Sequence, residues 1–254
     1  MAENLRWDHT MINVNSIDAA IKWFNDLGIK FQRGGKHEQW GTENAVGYLG
    51  LNYIELISIF DQDLAKTVNR DDATSVYDAI HDLPEEHINT IGIRTQDIDQ
   101  VHERLQSQNF PVGPIQTGKR LDPEGKMITW KIFFIRNKYF DVPYPFILQW
   151  EKPDYLRKKD LINQKLLDEH SDRHIMVSQA IYSVTNPEII AVKWGQLLNI
   201  TPVRKHDEWI LDMGIRQLVF KSGQDNRITD LKFVKSGDLK DKEFKLGEAN
   251  LQFE

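Results

Sequence analysis

The stretch WDHTMINVNSIDAAIKWFNDLGIKF, Trp7 to Phe31, decides the fold. Its first half alternates as a strand does. Its second half carries Ile17, Ala20, Ile21, Phe24 and Leu27 at helical spacing. Ser16 stands where a helix N-cap belongs, and Gly28 where a helix stops. The same strand, turn and helix return twice. An offset of 81 gives INTIGIRTQDIDQVHERLQSQNF, with Ile17-Asp18 on Ile98-Asp99. An offset of 171 gives QAIYSVTNPEIIAVKWGQLLNI, with Trp23 on Trp194 and Leu27 on Leu198. Repetition at this scale means one supersecondary unit used several times.

Strand-like material follows each copy: AVGYLGLNYIELISI after the first, MITWKIFFIRN and PFILQW after the second, EWILDMGIRQLVFKS after the third. The unit is therefore βαβββ. A fourth copy lacks its helix and survives as ITDLKFVKS and EFKLGEANLQFE. The predicted class is α+β, with βαβββ modules paired into curved, cleft-forming mixed sheets. The highly charged run from Glu151 to His174 shows no strand signal and marks a boundary. This divides the chain into a two-module domain over 1–152, a charged helical linker over 153–173 and a degenerate module pair over 174–254.

Composition narrows the function. The 254 residues contain no cysteine, which excludes disulfides, thiolate nucleophiles and cysteine-bound zinc, so that any metal must be held by nitrogen and oxygen. The net charge of -6, with dispersed Lys and Arg, offers no footprint for nucleic acid. No apolar run reaches the roughly 20 residues of a membrane span, and no leader pattern opens the chain, which points to the cytoplasm. The Walker, nucleophile-elbow, dinucleotide and HExxH motifs are all absent from the sequence.

Laying the closing strands on one another by their leucine-glycine turns puts Glu55, Gln149, Gln217 and Gln252 at one position. An acid within the apolar YIELI strand needs a metal, a proton or a hydrogen-bond partner if it is buried. The loop GGKHEQWGTEN, Gly34 to Asn44, adds a glycine pair, His37 and Trp40, followed by Gly41, Thr42 and Asn44. These suit a cleft rim, and equally a long hairpin loop. Arg120 carries a guanidinium that matches an anionic group.

Taken together, WDH, GGKHEQWGTEN, YIELI, RLDPEG with Trp130, and PYPFILQW resemble the glyoxalase-like domain proteins of the vicinal oxygen chelate superfamily. That superfamily includes glyoxalase I and extradiol dioxygenases. The resemblance implies a metal-dependent lyase, isomerase or dioxygenase acting on a small oxygenated molecule, with a divalent ion (Zn, Ni, Mn or Fe). It implies His9, Glu55 and Gln149 as ligands, Glu55 or His37 as the proton carrier, and Trp40, Gly41, Thr42, Asn44, Arg120 and Trp130 around the substrate. Thr90, at the place equivalent to His9, departs from the four-ligand pattern. A metal-free binding or sequestration protein of the resistance type is the alternative. The C-terminal pair would serve as a structural or dimerising half, which leaves a homodimer open.

Overall fold

The computed structural model describes residues 4–81, 83–121, 125–167 and 175–254. The Asp122–Glu124 part of the RLDPEG motif and the linker end at 173 lie outside them. The first module runs β1 (Arg6–Asn13), α1 (Ile17–Asp26), β2 (Gln32–His37), β3 (Thr42–Tyr48) and β4 (Tyr53–Ile59). Ser16 accepts from the Ala19 N–H to start α1, whose Ile17, Ala20 and Phe24 are buried. Two short helices, α2 (Gln62–Ala65) and α3 (Thr74–His81), lead to the second module. This comprises β5 (His87–Arg94), α4 (Ile98–Ser107), β6 (Gln116–Leu121), β7 (Met127–Phe133), the small hairpin of β8 (Lys138–Tyr139) and β9 (Val142–Pro143), and β10 (Phe146–Trp150).

Eight of these strands make one sheet in the order β2-β3-β4-β1-β5-β10-β7-β6. β1 and β5 are antiparallel neighbours at its centre, related by a local two-fold: Met11 pairs with Thr90 and His9 with Gly92, as an offset of 81 requires. The sheet curls until its two edges meet. There Arg120 on β6 donates from Nη1 to the Gly34 carbonyl on β2 at 2.7 Å. Gly35 lies so close to the Leu121 carbonyl that a Cβ could not fit. The glycine pair of the opening loop is thus part of the seam of a nearly closed barrel.

After helix α5 (Asp154–Asn163) the C-terminal half repeats the plan. It has β11 (Met176–Val184), α6 (Pro187–Leu198), β12 (Val203–Lys205), β13 (Glu208–Asp212), β14 (Gln217–Ser222), β15 (Arg227–Val234), β16 (Lys242–Leu246) and β17 (Ala249–Phe253). Its seven-stranded sheet has the order β12-β13-β14-β11-β15-β17-β16. The two halves share one continuous apolar core: Tyr144 stacks on Trp194 at 4.7 Å, and Arg104 donates to the carbonyls of Gln196 and Leu197 at the end of α6.

Two sequence alignments need correction. In the first module Met11 pairs with Glu55, and in the second Gly92 pairs with Phe146, so Phe146 and not Gln149 occupies the place of Glu55. A three-residue slip turns a strand residue to the opposite face. In the third copy the N-caps Ser16 and Asn186 differ by 170, one less than the offset that superposes the tryptophans. His9 therefore corresponds to Gln179, and Glu55 to Val219, which pairs with Ile181. The C-terminal amides bond within their own half: Gln179 donates to Gln217, and Gln252 to Asp230.

Candidate functional site

The inner face of the eight-stranded sheet lines a pocket, partly open to solvent, with a cavity volume of about 50 Å³. Alternation aims His9 and Met11 of β1, Tyr53, Glu55 and Ile57 of β4, and Phe146, Leu148 and Trp150 of β10 into it. Trp40, Trp130 and Phe134 supply further aromatic wall, and His37, Asn44, Ser75 and Arg120 are the remaining polar members.

At the centre lies a row of three buried ionisable groups. His9 Nδ1 donates to Asp8 Oδ2 at 2.9 Å, and His9 Nε2 faces Glu55 Oε2 at 3.3 Å. Neighbours in a strand normally point apart, but the β1–β5 register shifts between Trp7 and His9, and this irregularity brings Asp8 and His9 into contact. The imidazole stacks on Tyr53 at 4.6 Å and has Phe146 at 5.4 Å. A Cβ on Gly92 would overlap the ring, so glycine there makes room for it.

Behind Asp8, which is wholly buried, Arg157 of α5 and Arg94 of β5 approach Oδ1 at 3.3 and 3.4 Å, and the Trp150 indole N–H donates at 3.2 Å. Arg94 also grips Asp154, and the Arg157 guanidinium lies 4.3 Å from the Trp150 ring centre. Burial alone would raise the Asp8 pKa, but Arg157, His9 and Arg94 bring it to about 2. Burial would lower His9, but the carboxylates of Asp8 and Glu55 lift it to about 9. Glu55, against the upward push of burial, is held near 2 by His9, His37 and an Asn44 Nδ2 hydrogen bond of 2.6 Å. His37 goes the other way: burial takes it to about 4, with Glu55 opposing and Arg120 and His9 assisting.

The remaining sequence candidates divide. Trp40, Asn44, Arg120 and Trp130 line the cavity together with His9, His37 and Glu55. Gly41 and Thr42 do not: Gly41, at φ +66°, packs against Asp61 and α2, while the Thr42 hydroxyl shares a 3.1 Å hydrogen bond with His37 Nδ1. Gln149 turns away, its Oε1 accepting from the Ile98 N–H at the start of α4. Thr90 is tied to the Tyr144 carbonyl, and His87 is occupied by Asn13 and the Glu85 carbonyl. Asp8, Arg94, Arg157 and Tyr53 escaped the sequence reading. The only signal was an acid beside His9, which strand alternation places on the wrong face.

A divalent ion bound in the pattern of the resemblance would need donors at four places, and the chain provides His9, Glu55, Thr90 and Phe146 there. Thr90 is engaged elsewhere and Phe146 has no donor. Among the described residues no group of three His, Asp or Glu side chains is arranged to hold a metal. The donor set does not fit a four-ligand site.

The sequence pattern of the glyoxalase-like domain family matches residues 7–198. No curated protein sequence matches the chain. A hypothetical protein from Staphylococcus aureus has a similar crystal structure, with a TM-score of 0.88 and 22% identity over 98% of this chain and 99% of that one. The Mn(II)-bound glyoxalase from Novosphingobium aromaticivorans superposes at a TM-score of 0.56 with 10% identity, over 97% of this chain and 80% of its own. Streptomyces coelicolor methylmalonyl-CoA epimerase gives a TM-score of 0.43 with 17% identity, over 58% of this chain and 98% of its own. The paired βαβββ modules and the matched family pattern make this chain a member of the glyoxalase-like domain family, within the vicinal oxygen chelate superfamily.

Proposed function

We propose that the protein is a metal-independent receptor for a compact small molecule with a largely apolar, ring-bearing body. The observation that carries this reading is the replacement of half the ligand set by Thr90, bonded to Tyr144, and by Phe146, whose ring joins the cavity wall. Concave, mostly apolar pockets with a few polar groups are the usual form of small-molecule sites. The Asp8–His9–Glu55 row closes its own charges, and neither Glu55 near 2 nor His37 near 4 is a strong base at neutral pH. The row then works as a fixed dipole that orients the ligand's polar end.

The competing reading is the metal-dependent lyase, isomerase or dioxygenase. It is favoured by one feature: His9 Nε2 and Glu55 Oε2 stand 3.3 Å apart on one wall, close enough to touch a single ion, in a fold shared with a Mn(II)-bound glyoxalase. Titration of metal-stripped protein with Mn(II), Fe(II), Ni(II) and Zn(II), followed by calorimetry and thermal unfolding, separates the two. The receptor reading expects no saturable uptake and no stabilisation. Stoichiometric binding that is lost in both His9→Ala and Glu55→Gln would replace it with the metalloenzyme reading.

A further inference from the structure

Arg94 and Arg120 are the arginines classed as buried among the described residues, each 8% exposed. They are treated differently. Arg94 faces Asp8 and Asp154, whereas Arg120 has no carboxylate within ion-pair distance among the described residues. A guanidinium offers five N–H donors. Among the described residues Arg120 is engaged at Nη1 alone, with the Gly34 carbonyl at 2.7 Å and the Leu121 carbonyl at 3.5 Å. Two neutral acceptors do not neutralise a buried cation, and an uncompensated buried charge is costly. The nearby anion cannot do so either, because Glu55 is spent on His9 and Asn44.

Arg120 lies where the aromatic cavity meets two adjoining hollows, one towards α5 and one along the β2–β6 seam, and it lines all three. Alternation along β6 turns it inward beside Gly118, while Lys119 and Leu121 face out. Its fork is held at Nη1, leaving the other side able to take a planar anion in two parallel hydrogen bonds.

Resting on the receptor reading, we propose that the ligand is an organic monocarboxylate whose carboxylate pairs with Arg120 and whose ring lies between Trp40, Trp130, Phe134 and Phe146. The charge count selects a single negative charge. Among the described residues that line the aromatic cavity, His9 is enclosed by two carboxylates of the protein and Arg120 is the one cation left to face a ligand held there.

The test is quenching of the cavity tryptophans by paired probes: benzoate, phenylacetate and 2-naphthoate against their carboxamides. Each acid is expected to bind the wild type at least about tenfold more tightly than its amide, the worth of a charge-assisted hydrogen bond. Arg120→Gln should weaken the acids by about tenfold or more and leave the amides within about twofold, while Arg120→Lys, which keeps the charge and loses the two-pronged fork, should retain a reduced preference for the acids. Amides binding as well as acids would overturn the monocarboxylate assignment and leave the receptor reading standing. Binding of neither series would overturn both. Should Arg120→Gln fail to fold, because it also closes the seam, the acid-to-amide ratios of the wild type and Arg120→Lys decide alone.

Discussion

Replacing Asp8 with asparagine tests the buried ionic row most directly, because it keeps the shape and removes the charge. Donors from four side chains converge on the Asp8 carboxylate: His9 Nδ1, Trp150 Nε1, Arg94 Nη1 and Arg157 Nη1. Asparagine offers one acceptor oxygen and adds two donors of its own, so at least one buried donor is left facing another. Breaking a buried charge pair costs about 3–5 kcal/mol. Here Arg94 keeps its close contact with Asp154, and Arg157 keeps one at 3.8 Å, so the low end, about 3 kcal/mol, is expected. The effect on His9 follows separately. Its rise from 6.5 to about 9 is achieved against burial, so Asp8 and Glu55 together supply more than that difference. Losing one of two comparable partners should lower the His9 pKa by well over one unit, at about 1.4 kcal/mol per unit. Urea unfolding at pH 6 and an NMR titration of the His9 ring measure the two quantities. A stability loss below about 1 kcal/mol, or a ring still titrating near 9, would refute the account of Asp8 as the anchor of His9.

The pH profile of stability should peak near 6.5. His9 is raised, so its contribution is full below 6.5 and is lost as pH climbs through about 9; His37 is lowered, so its contribution is full above 6.5 and is lost as pH falls through about 4. Asp8 and Glu55, both lowered, add a further loss below their ordinary values. Urea midpoints from pH 4 to 9 check this; a profile without an alkaline decline, or one whose decline persists in His9→Gln, contradicts it. Gly92→Ala should push a methyl group into the His9 ring and cost about 1–3 kcal/mol, with displaced ring resonances; an unchanged midpoint would show that the ring has room to spare. Gln149→Ala should cost about 1 kcal/mol by freeing the Ile98 N–H, while probe binding in the cavity stays the same; weakened binding at unchanged stability would return Gln149 to the site.

The strand and helix of each module were readable because alternation and helical spacing are local properties, and the N-cap at Ser16 stands where its spacing put it. His9 and Glu55 could be placed on one wall because both belong to the first module, whose β1 and β4 are parallel neighbours. What failed was register. The turn-based alignment put Gln149 in the place of Phe146, since a leucine-glycine turn does not report how far a strand slides against its neighbour. Asp8 was hidden by a pairing irregularity that strand periodicity cannot express. Arg157 was hidden inside a charged run, where nothing distinguishes the one arginine that reaches a buried carboxylate from its solvated neighbours.

The two halves show what the ionic row requires. Where the first half has His9 and Glu55, the third module has Gln179 and Val219, and where the first half has an aromatic cavity the C-terminal sheet carries amides bonded to one another and to Asp230. A buried imidazolium is sustainable only with anions on both sides and cations behind them. Those cations come from two places: Arg94 from the second module and Arg157 from the helix that follows it. In the third module the neutral amides of Gln179 and Gln217 satisfy one another. The site is therefore a property of the first pair of modules together with α5. The C-terminal half meets this pair through Tyr144 on Trp194, through Arg104 at the end of α6 and through β15 against β5, and among the described residues it supplies none of the cavity lining. Its β15 packs against β5, the strand whose Gly92 lies against the ring of His9.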